Sequence, residues 1–139
     1  MKKIISRFLF MLVLVAQIFL LSGCSDEPFI VFSTQNPKEG LNKNQLENNF
    51  KQGQRVYFAI ISPKGFRDDM IRISLTKKDV KSEFWGYSNY RNQTIRTKGE
   101  KYYSDYFVIR EEGIFVLQAF ELINLNKPIA TGIFRVYAN

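Results

Sequence analysis

Side chains able to do chemistry are few in this chain. There is one cysteine, Cys24, and no histidine. An intramolecular disulfide, an imidazole-activated nucleophile and a His-ligated metal are excluded, because each needs a second thiol or an imidazole. Carboxylates occur in two adjacent pairs, Asp68-Asp69 and Glu111-Glu112, and two close carboxylates can split their pKa values for acid–base work or share a cation. Both pairs fall among turn-forming residues, and neighbours on an extended chain point to opposite sides. They are therefore expected to be solvated turn charges, with no metal bound. Ser74, Ser82, Ser88 and Ser104 have neither a G-x-S-x-G nor an S-x-x-K setting, and there is no glycine-rich phosphate loop. The expectation is a non-catalytic chain without a cofactor.

Recognition chemistry is better represented. Lys77, Lys78, Lys81, Arg91, Arg96, Lys98 and Lys101 surround Phe84, Trp85, Tyr87 and Tyr90. Cations interleaved with aromatic rings hold anionic groups and stack on flat ones. Trp85, Tyr87, Tyr90, Arg91, Arg96 and Lys98 form the candidate partner-binding patch. The competing reading is that Phe84, Trp85 and Tyr87 fill a core. Trp85 and Tyr87 share one strand parity, and at most one parity faces inward.

The N-terminus determines where such a patch would work. Lys2, Lys3 and Arg7 precede a stretch from residue 8 to 21 interrupted only by Gln17, and the small residues Ser22 and Gly23 follow. This is the order of an export signal. As a helix the stretch would cover about 21 Å of a roughly 30 Å hydrocarbon core, too little for a membrane span. Leu21-Ser22-Gly23-Cys24 then resembles the lipobox of bacterial lipoproteins. The resemblance implies that Cys24 is acylated with diacylglycerol, and that the lipoprotein signal peptidase recognises Leu21, Ser22 and Gly23 and cleaves before Cys24. A thiolate is the nucleophile such a lipid transfer requires.

The expected organisation is a signal peptide over 1–23, a lipidated cysteine and tether over 24–28, and one domain over 29–139. Loss of Lys2, Lys3 and Arg7 with the signal lowers the formal balance from +7 to +4. By the same resemblance, membrane lipid is the first partner. Ser25 after the cysteine, where Asp favours inner-membrane retention, permits transfer to the outer membrane of a two-membrane envelope. An exported domain meets proteins and glycans, so one of these is the expected second partner and nucleic acid is not.

The domain itself must be built from strands. Alternation and β-branched or aromatic enrichment mark about seven, over 29–32, 55–62, 71–76, 84–90, 102–109, 114–122 and 130–137. The run 55–62 is apolar on both pleat faces and is expected to be central, whereas Ile71, Ile73 and Leu75 alternate with polar residues as in a half-buried strand. On the last strand both parities are apolar enough to be covered. Between the first two strands, residues 34–53 are expected to form a loop or one short helix, in which Asn44 could cap a turn carrying Leu46 and Phe50, with Gly53 beyond its end. Residues 91–101 are expected to form a polar loop.

Seven short strands in about 110 residues suit an all-β, antiparallel, two-sheet sandwich. Glu111-Glu112-Gly113-Ile114-Phe115-Val116-Leu117 resembles the immunoglobulin pattern Asp-x-Gly-x-Tyr-x-Cys at the sixth strand. Phe115 lacks the tyrosine-corner hydroxyl, Leu117 cannot form the inter-sheet disulfide, and Trp85 falls too late for the strand C tryptophan. An Ig-like sandwich acting as a binding or accessory module is the expectation. Its rivals are a structural subunit of an envelope or transport assembly and, further off, an enzyme of unrecognised type.

Overall fold

The computed structural model describes residues 25–79 and 86–138, with side chains described for the same residues except 79 and 86–89. Leu21, Ser22, Gly23, Cys24 and Trp85 lie outside the described residues, as does the side chain of Tyr87.

Eight strands are present among the described residues: β1 (Phe29–Ser33), β2 (Asn49–Lys51), β3 (Arg55–Ile61), β4 (Met70–Asp79), β5 (Gly86–Arg96), β6 (Tyr102–Val108), β7 (Gly113–Glu121) and β8 (Ala130–Tyr137). They form a three-stranded sheet ordered β1-β3-β6 and a five-stranded sheet ordered β2-β8-β7-β4-β5. All pairings are antiparallel except β2 with β8. The first sheet corresponds to strands A, B and E of the immunoglobulin arrangement, and β8, β7, β4 and β5 correspond to G, F, C and C′. The domain is an Ig-like β-sandwich.

The strand beyond the expected seven is β2, and it lies in the segment expected to be a loop or one short helix. Two single 3₁₀ turns, Pro37–Glu39 and Lys43–Gln45, cross this region, the second capped by Asn42 rather than Asn44. Glu47 then redirects the chain, because its carboxylate accepts the backbone N–H groups of Asn49 and Asn48, each at 3.0 Å. Those bonds, Asn49 first, hold its carboxyl below the usual carboxylate range. Phe50 is fully buried from β2, while Leu46 remains exposed. The i, i+4 spacing of Leu46 and Phe50 therefore marks no common face.

Elsewhere the pleat patterns decide the core. Val56, Phe58 and Ile60 on β3 face Ile71, Ile73 and Leu75 on β4, all buried, and Ala59 on the other parity is buried too. β3 is central in its sheet, as its two-sided apolar pattern requires. On β6, Phe107 is buried and Tyr106 and Val108 are exposed, so the parity of Tyr103, Asp105 and Phe107 is the inward one. β8 departs from expectation. Ala130, Phe134 and Val136 are buried, but Ile133 on the other parity is 58% exposed and Tyr137 is exposed too, because nothing among the described residues packs on that face. Phe115 and Leu117, at the tyrosine-corner and cysteine positions of the immunoglobulin pattern, are both fully buried. Apolar packing occupies the place of the disulfide.

Rings from four strands tie the sheets together. Phe134 lies 4.8 Å from Phe32, 5.5 Å from Phe115 and 5.9 Å from Phe50, centroid to centroid. Gly132 makes room for this arrangement, since a Cβ there would sit 2.7 Å from Phe32 Cε2 and 3.0 Å from Ile30 Cγ2. Gly132→Ala is thus expected to destabilise the domain by about 1–3 kcal/mol through overpacking. Urea unfolding would measure it, and a gain in stability would contradict the tight β1–β8 contact.

Candidate partner-binding flank

β5 and β6 are each the last strand of their sheet, and side-chain contacts between them put both on the same side of the sandwich. The Arg91 guanidinium on β5 is 5.7 Å from the centre of the Phe107 ring on β6. Among the described residues no strand pairs with the outer edge of either. Such an edge leaves backbone N–H and C=O groups unpaired, so it is a template for another strand unless side chains discourage pairing.

The side chains along this flank come from both sheets. Arg91 and Gln93 pair in register with Leu75 and Ile73, whose parity is the core one. Opposite them on β6 stand Tyr103, Asp105 and Phe107. The Tyr103 hydroxyl donates to Asp105 Oδ2 at 3.3 Å, and its ring packs 6.1 Å from Phe58. Partial burial, then the Asp105 charge and this hydrogen bond, push the Tyr103 hydroxyl up to about 12, while Arg91 and a hydrogen bond with Gln93 work the other way. Tyr103 is thus a neutral donor at physiological pH.

Tyr90 sits where the β4–β5 register shifts, between Leu75 and Thr76. A bulge of this kind re-aims a side chain. Its ring meets Phe115 edge-on at 5.4 Å, yet Tyr90 remains 39% exposed. The aromatic body is anchored in the core and one side is left to solvent. Lys77 lies 6.0 Å over the same Phe115 ring and ion-pairs with Glu111 at 2.9 Å.

The candidate patch is only partly brought together. Tyr90 and Arg91 are adjacent on β5, but Arg96 ends that strand beside Met70 and Lys98 lies in the following turn. At about 3.3 Å per residue, Arg96 is roughly 20 Å from Tyr90. The expected polar loop over 91–101 is mostly strand, which stretches the patch into two separate parts. Trp85 and the Tyr87 side chain lie outside the described residues. No local spacing groups Gln93 with Tyr103 and Asp105, because their meeting depends on which strands end up on one flank.

Of the acidic pairs, Glu111 engages Lys77, and the backbone carbonyls of Asp68 and Asp69 accept from Thr97 Oγ1 at 2.8 Å and Thr97 N at 2.7 Å. Asp68 Oδ2 is secluded without a hydrogen-bond partner, so Asp68 is not the fully solvated turn charge expected. Among the described residues no three carboxylates or other ligands come together as a metal site.

The flank offers a cation, an anchored phenol, a neutral hydroxyl donor and two free strand edges. This is equipment for recognition. The Tyr103 environment has a testable signature. Its proton is held more tightly in the folded state than in the unfolded state, so the stability it contributes is present below about pH 10 and lost as pH rises towards 12. Tyr103→Phe is expected to reduce the loss of stability between pH 10 and 12, read from urea midpoints. An unchanged slope would contradict the partly buried hydroxyl beside Asp105.

No protein-family model matches the chain, and no curated protein matches it in sequence. Its fold is similar to that of the soluble domain of PmoD from Methylocystis sp. ATCC 49242 (Rockwell). The TM-score is 0.54 at 11% identity, over 83% of this chain and 94% of that one. The CARDB domain of the PF1109 protein from Pyrococcus furiosus, solved in complex with di-metal ions, covers 81% of this chain and 93% of that one, at 10% identity and a TM-score of 0.42. The first likeness is one of fold alone, and the second carries no argument.

Proposed function

We propose that the chain is a bacterial envelope lipoprotein, anchored through acylated Cys24, whose Ig-like sandwich is a non-catalytic module that binds a protein partner along the β5–β6 flank. The observation that carries the contact is the pair of free strand edges, with Tyr90 and Arg91 beside them. Strand edges recognise a polypeptide backbone through main-chain hydrogen bonds, and flanking Tyr and Arg side chains are favoured contact residues. The free edges favour a protein over a glycan. The lipobox supports the anchor, and Ser25 supports release towards an outer membrane where the cell has one.

A photo-crosslinking residue placed at Asn92, exposed on β5, tests this in cells against the same residue at Thr131, exposed on β8. The expected result is a discrete adduct from position 92, lost with Arg91→Glu, and none from position 131. Equal adducts from both positions, or none from 92, would overturn the flank assignment.

A further inference from the structure

The end of the sandwich next to Cys24 carries a feature that partner binding does not use. β1 starts at Phe29, so the tether enters where β3, β5 and β7 end and β4, β6 and β8 begin. The loops over 62–69, 97–101 and 122–129 all lie at this end. Asp26 of the tether ion-pairs with Lys64 at 2.7 Å. Asp26 and Glu27 also share a cleft of about 350 Å³ with Phe66, Glu121 and Ile129. The four residues between Cys24 and β1 reach under about 20 Å even when extended, and the Asp26 contact shortens that.

The β7–β8 loop has an unusual tip. Asn124 N–H donates to Glu121 C=O at 3.1 Å, closing a turn with Leu122 and Ile123 at its centre. Asn126 N–H then donates to Asn124 Oδ1 at 3.2 Å. Turn centres ordinarily carry Gly, Asn, Asp or Pro. Here Ile123 is 77% exposed, and Leu122 and Leu125 are exposed beside it. Three large aliphatic side chains are held out to solvent by a hydrogen-bonded turn at the lipid-bearing end.

We infer that Leu122, Ile123 and Leu125 insert into the interfacial region of the bilayer that holds the lipid anchor, giving the domain a second contact and a fixed orientation. The inference rests on the lipoprotein reading, because the anchor is what brings this end to the membrane. Aliphatic side chains at the headgroup boundary gain by leaving water. The basic residues of this end, Lys64, Arg67, Lys98, Lys101 and Lys127, are matched in number by acids of the tether and the same loops. Insertion is therefore driven by apolar contact and does not require anionic lipid.

The test uses the mature acylated protein in vesicles of phosphatidylcholine, with and without phosphatidylglycerol. Ile123→Cys is labelled with a polarity-sensitive fluorophore and compared with Glu112→Cys, exposed at the opposite end. The expected result is a blue-shifted emission at position 123, quenched by nitroxide lipids several-fold more than at position 112, in both lipid mixtures. Equal, water-like emission at the two positions in vesicle-bound protein would overturn the insertion and leave the anchor intact. Shielding at 123 that nitroxide lipids do not quench would assign the tip to a protein partner or a second copy instead. Acylation leaves the chain without the two introduced cysteines free of thiols, so label taken up by that chain would defeat the lipoprotein reading and this inference together.

Discussion

Phe134→Ala is expected to cost about 3–5 kcal/mol, the range for emptying a large aromatic from a well-packed core. Phe134 is almost fully buried and meets Phe32 of β1, Phe50 of β2 and Phe115 of β7. One truncation therefore loosens both sheets and strands the three remaining rings around a cavity. With no disulfide to hold the sheets, and whole-domain stabilities of roughly 5–15 kcal/mol being usual, the loss is a large share of the total. Urea unfolding of the variant should show a much lower midpoint, and Phe50→Ala should show a related loss that is not additive with it. A midpoint within a few tenths molar of the parent would mean that the ring cluster is not the centre of the core.

Cys24→Ser should abolish membrane anchoring through lipid. Acyl chains contribute about 0.8 kcal/mol per buried methylene, so two long chains together supply on the order of 20 kcal/mol. Loss of that thiol cannot be compensated elsewhere, because the chain has no other cysteine. The variant should accumulate as an uncleaved precursor without incorporated labelled fatty acid. Export of residues 25–139 behind an ordinary cleavable leader should yield protein that fractionates mainly away from membranes, since the proposed loop-tip contact would by itself be weak. Among the described residues no helix is long and apolar enough to cross a membrane. Fatty acid on Cys24→Ser, or full membrane retention of the leader-exported domain, would sink the anchor assignment.

Protease accessibility on intact cells would separate the two settings in which the flank could work. Digestion before lysis places the sandwich outside the cell. Protection until lysis places it inside the envelope, where a fixed assembly partner is the better target.

Several parts of this architecture can be read directly from residue order. Ile71, Ile73 and Leu75 alternate with Arg72 and Ser74, and the buried face follows at once. The run from Arg55 to Ile61 is apolar on both parities, and it lies between two neighbours in its sheet. The second half of β5 hides because it lies on an edge strand. Arg91, Asn92, Thr94 and Arg96 are all exposed or half-buried, and among the side chains described after Tyr90 only Ile95 packs against the core, so this half of the strand resembles a loop. β2 hides for another reason. It has three residues and one buried side chain, Phe50, too few to show any period.

Legibility of the flank follows the same division. Tyr90 and Arg91 stand out by type within a basic and aromatic segment. Their companions Tyr103 and Asp105 lie on a strand of the other sheet, and pairing across the sandwich depends on topology that no local spacing encodes. The resemblance of Leu21-Ser22-Gly23-Cys24 to a lipobox needs no such context, since the four residues are contiguous. The loop tip at Ile123 is visible as three aliphatics between Glu121 and Lys127, but its meaning depends on which end of the domain the tether enters.

The parallel pairing of β2 with β8 also governs how the domain bears load. Asn49, Phe50 and Lys51 lie opposite Arg135, Val136 and Tyr137, and hydrogen bonds from Arg135 N to Asn48 O at 2.8 Å and from Gln52 N to Tyr137 O at 3.0 Å extend the ladder. Were the N-terminal tether and the C-terminal end of β8 drawn apart, the two strands would be pulled past each other along their length. The rungs then share the tension and must yield together instead of opening one at a time. A strand of three residues, whose equilibrium contribution rests on the one buried ring of Phe50, would thereby also act as a shear clamp between the two ends of the domain.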